Sequence, residues 1–440
     1  MDEVGRYVLS GARLPNGKVA DILIEGGRIV KADGRADPSG AVLVDAAGLV
    51  ALPGLVDLHT HLREPGYEQS ETIFTGTRAA AAGGFTSVFA MANTFPVSDT
   101  AAVVEQVQAL GEQAGYATVR PIGAVTMGLA GETLSEIGAM AKSRASVRVF
   151  SDDGKCVHDS LLMRKALEYV KTFDGVIAQH AQDPRLTENA QMNEGALSRE
   201  LDLKGWPAMA EESVIARDVL LAEHVGARLH VCHVSTAGSV DVIRWAKARG
   251  IQVTAEVTPH HLLLTEELIR SYNTEYKVNP PLRRDEDVQE LRKGVADGTI
   301  DIVATDHAPH SRESKHTEWN TAAFGMVGLE SALPVVQTAL VDNGFIGWLD
   351  VARILSNAPA AIGRLRNHSH SFESGSPANV TLVDPADRST FELDRLRGKS
   401  MNTPYVGVAL SGRLRWTFHR GVPTLRDAEL ADLRPNAERL

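Results

Sequence analysis

Five short segments of this 440-residue chain place histidine or aspartate side chains where a strand is predicted to end. In Asp57-Leu-His-Thr-His61, strand alternation directs His59 and His61 to the same side. The other segments are Ser151-Asp152-Asp153-Gly154, Gln179-His180, His230-Val-Cys-His233 and Thr305-Asp306-His307. Imidazole nitrogens and carboxylate oxygens suit Zn²⁺ or a similar metal ion, and one carboxylate can bridge two ions. A single histidine at a strand end is usually a packing residue, but the five segments together predict a metal centre.

Some histidines and both cysteines near these segments are not predicted to bind metal. The histidines lack matching alternation or strand position, so we expect them to support the ligands or the packing. They are His230, His260, His261 and His307. Cys232 points away from His233 along the strand and is expected to be a small buried hydrophobic residue. Cys156 follows the aspartate pair, but the sequence gives it no base partner.

A repeated βα pattern is predicted to bring these segments together. From about residue 53 to residue 365, short apolar runs alternate with longer segments of helical periodicity, such as 160–172, 211–225 and 239–249. The eight predicted strands end near His61, Met91, Ala124, Phe150, His180, His233, Thr258 and Thr305. This number of units predicts a closed (β/α)8 TIM-type barrel, in which the carboxyl ends of the strands meet at one mouth. A doubly wound open sheet is the alternative, but its glycine-rich dinucleotide fingerprint is missing after the first strand.

The two ends of the chain share a different sequence pattern, in which short strand-like runs are separated by turn signals. The runs near the carboxyl end are 379–384, 406–410 and 414–418. We therefore predict a small β-sandwich domain built from residues 1–52 and 366–440, and a barrel domain from residues 53–365.

Composition excludes several classes of protein. The net charge of -11, from 45 basic and 56 acidic residues, argues against a nucleic-acid-binding surface. Two cysteines in so long a chain make a disulfide framework improbable, and no apolar run reaches the roughly 20 residues that cross a bilayer. The segment from Met1 to Ser10 lacks the apolar region of a signal peptide. We expect a cytoplasmic protein that contacts neither nucleic acid nor membrane.

Four segments carry a resemblance to a known family across essentially the whole chain. They are Asp57-Leu-His-Thr-His-Leu-Arg-Glu-Pro-Gly66, Val253-Thr-Ala-Glu-Val-Thr-Pro-His-His-Leu262, Val278-Asn-Pro-Pro-Leu282 and Ala304-Thr-Asp-His-Ala-Pro-His310. In this order the chain resembles the amidohydrolase superfamily and, more narrowly, the bacterial type I dihydroorotases. The resemblance implies zinc-dependent, reversible cyclisation of N-carbamoyl-L-aspartate to L-dihydroorotate, a step of pyrimidine (UMP) biosynthesis.

The resemblance also implies a ligand set for two zinc ions per chain. One ion would be held by His59, His61 and Asp306, and the other by His180 and His233, with a bridging carboxylate between them. Asp153 fits the family spacing of 27 residues to the strand-five histidine (180 − 153 = 27). Many relatives carry a carboxylated lysine at this point of the fold, and Asp152 and Lys155 stay alternatives for the bridging role.

Substrate contacts follow from the same resemblance. The carboxylate of dihydroorotate would meet Arg63, Asn93 and His310, and its ring would lie near Asn279 and the backbone of Phe324 and Gly325. Arg63 is also a candidate apart from the resemblance. It follows His61 by two residues, so that it should face the same mouth, and a guanidinium matches a carboxylate. Asn93 lies in Met-Ala-Asn-Thr-Phe-Pro, which departs from the commoner Met-Pro-Asn-Thr-Asn-Pro of the family. The polar residues 311–320 are expected to form a lid over the substrate.

The implied mechanism uses water activated by the metals to attack the ring amide, while Asp306 carries the proton to the leaving nitrogen. The reverse direction needs no further residues. One alternative is a hydantoinase or allantoinase of the same superfamily, which would lack the anion-binding residues. Another is an inactive scaffold that binds aspartate carbamoyltransferase, but such proteins lose metal ligands. A complex with that transferase, or a homodimer, is compatible with an active enzyme.

Overall fold

The computed structural model describes residues 5–366, 368 and 371–433. Eight short strands in the middle of the chain are parallel and almost wholly buried. They are β6 (Leu55–Thr60), β7 (Phe85–Ala90), β8 (Thr118–Pro121), β9 (Val149–Phe150), β10 (Val176–Gln179), β13 (Arg228–Val231), β14 (Val253–Val257) and β15 (Ile302–Val303). Burial on both faces is typical of parallel strands, and it explains why apolar residues predominate in most of them.

Hydrogen bonding links the eight strands in two groups, β6-β7-β8 and β9-β10-β13-β14-β15. An isolated parallel bridge between Gly123 and Phe150 connects β8 with β9. A second parallel bridge, between Thr60 and His307, connects the end of β6 with the segment after β15. The two groups are therefore joined by single parallel bridges that involve the segments just after β8 and β15, and the carboxyl ends of all eight strands face the same way.

Helices and shorter segments connect these strands. The α-helices are α1 (Ile73–Ala82), α2 (Ala101–Ala114), α3 (Ile137–Lys142), α4 (Ser160–Lys171), α5 (Ala196–Glu200), α6 (Met209–Val225), α7 (Ala237–Ala248), α8 (Pro259–Leu263), α9 (Asp285–Asp297), α10 (Arg312–Lys315), α11 (Ala332–Val336), α12 (Trp348–Ala352) and α13 (Ala358–Ile362). The three helices predicted from periodicity correspond to α4, α6 and α7, with ends that differ by one or two residues. A two-stranded parallel pair, β11 (Met192–Asn193) and β12 (Gly205–Trp206), lies in the connection between α4 and α6.

Helix α4 shows how the local sequence determines an element. The side chain of Asp159 accepts a hydrogen bond from the backbone N–H of Leu162 at 2.7 Å, which satisfies a free donor of the first turn. Buried side chains then recur at helical spacing, namely Met163, Ala166, Leu167 and Val170. The helix thus begins at a capping residue and presents one apolar face to the strands.

Strands from both ends of the chain form one further sheet of nine strands. They are β1 (Tyr7–Arg13), β2 (Val19–Glu25), β3 (Arg28–Lys31), β4 (Val42–Asp45), β5 (Val50–Pro53), β16 (Val380–Thr390), β17 (Ala409–His419), β18 (Val422–Arg426) and β19 (Glu429–Leu430). The two ends meet where β5 pairs antiparallel with β16, from Pro53 opposite Val380 to Val50 opposite Val383. Their shared core includes Leu9, Ile22, Ile24 and Phe418. This sheet is consistent with the predicted small β domain from both termini.

Two details of the predicted domain need comment. The strand expected at 406–410 begins only at Ala409, because 404–407 forms a turn with Gly407 in the left-handed region at φ 80°. The predicted ranges 1–52 and 366–440 include residues 1–4, 367, 369–370 and 434–440, which lie outside the described residues. Among the helices described, none combines the length and the apolar character needed to cross a membrane.

Candidate metal centre

The sequence-predicted ligands meet just beyond the carboxyl ends of β6, β9, β10, β13 and β15. Asp153, in the loop after β9, is the common neighbour. Its Oδ1 lies 3.4 Å from His59 Nε2, 3.2 Å from His180 Nδ1 and 3.3 Å from His233 Nε2. Its Oδ2 lies 3.3 Å from His61 Nε2. One carboxylate therefore faces four imidazoles, although these residues are as much as 94 positions apart from it in the chain (153 − 59 = 94).

Three groups of side chains here have metal-ligand spacing, and Asp153 belongs to two of them. One group is His59, His61 and Asp153, and the other is Asp153, His180 and His233; in each, the ligand atoms lie within 4.8 Å of one another. Asp306 adds a second carboxylate, with Oδ1 3.0 Å from His61 Nε2 and 3.4 Å from His59 Nε2. Each of the two groups could hold a metal ion, with the Asp153 carboxylate common to both.

The charges of the cluster also fit cations. Burial alone would lower the pKa of His59, but Asp153, Glu256 and Asp306 raise it well above the usual value. Burial would raise the pKa of Asp306, whereas His59 and the hydrogen bond from His61 hold it at about 2. His59 Nε2 is buried and makes no hydrogen bond to any residue within the described ranges. The buried carboxylates supply negative charge that compensates a cation, and the imidazoles can donate to zinc once their protons are displaced.

The two adjacent aspartates have different surroundings. Asp152 Oδ1 accepts hydrogen bonds from the backbone N–H groups of Val125 at 2.7 Å and Thr126 at 3.0 Å, and the Thr126 hydroxyl donates to Oδ2. Its oxygens are thus engaged in the loop after β8, away from the histidines. Lys155 is exposed. Of the three residues considered for the bridging position, Asp153 alone faces the histidine cluster.

Two of the predicted ligands adopt uncommon backbone conformations. The φ angle is 29° at His233 and 48° at Asp306, in the left-handed region that non-glycine residues rarely adopt. Each residue lies two or three positions after its strand has ended, where the chain turns sharply into a loop. Such strain is tolerated where the surrounding structure holds a side chain in a required direction.

Glu256, in β14, is a neighbour of the cluster that the sequence reasoning missed. Its Oε1 accepts from His59 Nδ1 at 2.5 Å, and its Oε2 accepts from His230 Nε2 at 3.0 Å. These contacts fix the ring of His59 with Nε2 directed at the cluster. A buried glutamate inside the apolar run Val253–Val257 was the available signal, because an unpaired carboxylate would be costly there. His230, which was expected to support the ligands or the packing, contacts this glutamate.

Gln182 is a second missed residue. Its Oε1 accepts from His180 Nε2 at 2.6 Å and from Asn279 Nδ2 at 3.1 Å, so it connects a predicted ligand with a predicted substrate residue. Asn279 Oδ1 is buried and forms no hydrogen bond with the described part of the chain. Asn93 Oδ1 accepts from His61 Nδ1 at 2.9 Å, which places this asparagine against a ligand as well as at the mouth.

The predicted anion-binding residues also lie beside the cluster. Arg63 Nε donates to the backbone oxygen of Pro309 at 3.1 Å. Desolvation lowers the pKa of Arg63 to about 10, against the opposing effect of Asp306 and Asp153. Arg63 was expected to face the same side as His61, two residues before it, as in a strand. The strand does not extend that far, because β6 ends at Thr60 and Arg63 has a φ of 64°. The turned loop, rather than the strand, brings its guanidinium to the mouth.

The two ends of the segment expected to form a lid, residues 311–320, lie close together. His310 precedes the segment, and Phe324 and Gly325 follow it. His310 Nε2 donates to the Phe324 carbonyl at 2.7 Å. Burial, followed by the charge of Arg63, lowers the pKa of His310 to about 3. Gly325 has a φ of 130°, and a Cβ atom there would approach His310 Nε2 to 2.9 Å and Ala308 Cβ to 2.7 Å. Glycine is therefore required at this position for the chain to pass so close to the histidine.

The remaining candidates behave mostly as supporting residues. His307 Nδ1 accepts from the backbone N–H of Gly328 at 3.2 Å, and His261 Nδ1 is hydrogen-bonded to Thr258 Oγ1 at 2.7 Å. His260 is buried near Asp306, and burial lowers its pKa to about 4. Cys232 belongs to an apolar cluster, as predicted, but its sulfur also lies within 4.8 Å of ligand atoms of His59 and Glu256. Burial raises the pKa of this thiol, as expected for a small buried hydrophobic residue.

Comparison with known proteins shows which family this chain belongs to. A family model described as dihydro-orotase-like matches residues 48–239. A protein of Leifsonia xyli named dihydroorotase is 70% identical over 97% of each chain. Proteins with the same name from Streptomyces coelicolor and Mycobacterium tuberculosis are 62% and 50% identical, over 97% and 94% of this chain and 100% and 96% of their own.

Solved structures with the same fold are more distant in sequence. An L-hydantoinase (dihydropyrimidinase) from Arthrobacter aurescens superimposes with a TM-score of 0.85 at 23% identity, over 97% of each chain. A dihydropyrimidinase from Brevibacillus agri gives a TM-score of 0.83 at 22% identity, over 97% of this chain and 96% of its own. At this identity the likeness concerns the fold alone.

Proposed function

Because this chain belongs to the dihydroorotase family, we propose that its buried histidines and aspartates bind two zinc ions and that the residues around them select a carboxylate-bearing ring. The chain is a cyclic amide hydrolase that interconverts N-carbamoyl-L-aspartate and L-dihydroorotate in pyrimidine biosynthesis.

The proposed ligands divide into two sets. His59, His61 and Asp306 would hold one zinc ion, and His180 and His233 would hold the other, with Asp153 between them. This assignment is supported by the shared position of Asp153 in both ligand groups. It is also supported by Glu256, which binds Nδ1 of His59 and leaves Nε2 directed at the carboxylates, without a hydrogen bond to any described residue.

The fold proposed for this site is a closed (β/α)8 barrel of residues 53–365. The small β-sandwich domain would comprise residues 1–52 and 366–440. The two isolated bridges that join β8 to β9, and the segment after β15 to β6, support closure. In such barrels the active site lies at the carboxyl ends of the strands, where the histidine cluster is found. A homodimer and a complex with aspartate carbamoyltransferase stay predictions from the sequence resemblance, as does the cytoplasmic location.

The chemistry of the residues follows from their positions. Zinc bound here would lower the pKa of a water molecule and polarise the ring amide carbonyl. Asp306 is ionised at neutral pH, because its pKa is held at about 2, and it can accept the proton of the attacking water. It would then deliver that proton to the leaving amide nitrogen, and in the reverse direction it would remove it.

The substrate carboxylate is proposed to bind at Arg63, with Asn93 and His310 beside it. Arg63 is a partly buried cation whose Nε is already fixed by Pro309, so that its remaining N–H groups can pair with a carboxylate. His310 directs Nε2–H at Phe324 and presents an unprotonated Nδ1, so contact with a carboxylate requires its ring to turn or to take up a proton. Asn279 and the backbone of Phe324 and Gly325 would contact the ring.

The observation that carries the substrate proposal is the position of Arg63 beside the cluster of histidines and aspartates. The test compares hydrolysis of L-dihydroorotate, hydantoin and allantoin by the zinc-loaded chain and by Arg63→Met. Loss of a charged hydrogen-bonding partner should lower kcat/KM for dihydroorotate by about 10²-fold or more, while hydantoin, which has no carboxylate, is little affected. Arg164→Met, on the exposed face of α4, is the matched control. Equal losses on all substrates would show that Arg63 does not bind the carboxylate.

A further inference from the structure

A second cavity with an unusual lining lies away from the histidine cluster. Its volume is about 810 Å³, and five arginines contribute to its walls, namely Arg120, Arg148, Arg364, Arg366 and Arg420. One carboxylate, Asp174, is among the described lining residues. This is a strong local excess of positive charge in a chain whose net charge is -11. Such a contrast focuses the electrostatic potential on one concave surface.

Most of this charge is not neutralised by ion pairs. Arg364 pairs with Asp174 at 2.6 Å. Arg120 and Arg148 donate to the backbone oxygens of Ala145 and Ala141, which leaves their formal charges uncompensated. Within residues 5–366, 368 and 371–433, no carboxylate lies within ion-pair distance of Arg120, Arg148, Arg366 or Arg420.

The arginines are close enough to repel one another. Burial lowers the pKa of Arg120, and the neighbouring guanidinium groups of Arg148 and Arg366 lower it further, against a smaller opposing effect of Glu112. Like charges held together in this way destabilise the fold unless an anion compensates them. The cavity is therefore a place where ligand binding would relieve an existing electrostatic cost.

The cavity lies at the end of the strands opposite to the metal ligands. Thr118 begins β8, Arg148 directly precedes β9, and Asp174 lies two residues before β10. Arg420 comes from the turn between β17 and β18 of the terminal sheet. The cavity thus lies between the amino-terminal ends of the central strands and the small β domain. An anion bound there would not touch the reacting groups.

We propose that this cavity binds the di- or triphosphate group of a small phosphorylated molecule. Four uncompensated guanidinium groups match the charge of a triphosphate better than that of a single carboxylate. Guanidinium forks pair with phosphate oxygens through two parallel hydrogen bonds, which lysine cannot do. The volume falls within the range of roughly 300–1,000 Å³ that is usual for small-molecule sites.

Binding is tested by calorimetry with the full-length, zinc-loaded chain. Inorganic triphosphate, a nucleoside triphosphate and inorganic phosphate are titrated at about 0.15 M salt, where exposed charges are screened beyond about 8 Å. We expect one triphosphate per chain and much weaker binding of phosphate. Equal affinity for the two triphosphates assigns the site to the phosphate chain alone, and tighter binding of the nucleotide adds a contact to its base or sugar. Either result supports the proposal.

Variants distinguish this cavity from general attraction of anions. Arg366→Gln with Arg420→Gln removes two exposed side chains of the cavity, and we expect at least a tenfold loss of triphosphate affinity. Arg164→Gln with Arg185→Gln removes the same charge from exposed positions elsewhere and should retain the affinity. Removal of zinc by the polyphosphate would affect both pairs alike, so metal content is measured after each titration.

Three results would overturn the proposal. The first is no saturable binding of triphosphate up to about 1 mM. The second is an equal loss of affinity in the double variant of the cavity (Arg366→Gln with Arg420→Gln) and in the control double variant (Arg164→Gln with Arg185→Gln). The third is binding of an acidic peptide such as oligoglutamate, sensitive to the cavity pair, without binding of triphosphate. That last result would assign the surface to an acidic protein partner.

Discussion

Replacement of Asp153 by asparagine tests the shared carboxylate most sharply. The aspartate oxygens lie 3.2 to 3.4 Å from nitrogens of four histidines, and asparagine supplies only one oxygen and no charge. We expect the zinc content to fall from about two per chain to about one or less. Loss of a metal that contributes several kcal/mol to the transition state should lower kcat by about 10³-fold or more, at about 1.4 kcal/mol per factor of ten.

The assay combines metal analysis of the purified variant with hydrolysis of L-dihydroorotate. Asp152→Asn is the matched control, because its side chain holds the N–H groups of Val125 and Thr126 instead of facing the histidines. It should retain both metals and lose about 1–3 kcal/mol of stability, seen as a lower melting temperature. The reasoning is refuted if Asp153→Asn keeps two metals and its rate while Asp152→Asn loses them.

Three further predictions follow from the same structure. Glu256→Gln should weaken zinc binding by about 10–100-fold in competition with a chelator, because Glu256 orients His59; unchanged affinity would contradict that role. Cys156 should resist iodoacetamide at pH 8 in the folded chain, because burial raises the pKa of its thiol to about 12; rapid alkylation without unfolding would show otherwise. Burial lowers the pKa of Lys315 to about 7 from an ordinary 10.5, so the unfolded chain binds more protons between these values. This lysine therefore contributes a stability that rises with pH across that window, by up to about 1.4 kcal/mol per pH unit. Denaturation at pH 7 and pH 9 should show a smaller rise in Lys315→Met, and an unchanged rise would exclude the lysine as its source.

The burial of Lys315 is a feature of the segment 311–320 that the sequence did not predict. The segment 311–320 was expected to be a polar loop, yet it contains the short helix α10 and a fully buried lysine. The ammonium group of Lys315 donates to the backbone oxygens of Lys277 at 2.9 Å, Ala323 at 3.1 Å and Gly325 at 2.6 Å. A charged residue in a polar run gives no sign that it will be buried, because its acceptors are carbonyl groups brought in by the fold.

The strands and the histidines were predictable because their signals are local. Apolar runs of strand length, each followed by a polar segment, located all eight central strands to within about three residues. His59, His180 and Asp153 lie where those strands end. The sheet formed by strands from both ends is consistent with the β domain predicted from the turn signals and short strand-like runs that recur at each end.

The supporting contacts were not predictable because they join distant parts of the chain. Glu256 meets His59 across 197 positions, and Gln182 meets Asn279 across 97. The loop conformations were equally hidden, since nothing in the sequence requires a left-handed residue at Asp306 or Arg63. Alternation along a strand therefore indicated the correct side for His61, but only the turned loop accounts for the position of Arg63.

The most direct test of the account is a zinc titration of the metal-stripped chain, followed by the rate of L-dihydroorotate hydrolysis. We expect negligible turnover without metal, and a rate that rises until about two zinc ions are bound per chain. Full turnover by metal-free protein, or a rate that does not depend on zinc, would contradict the proposed centre.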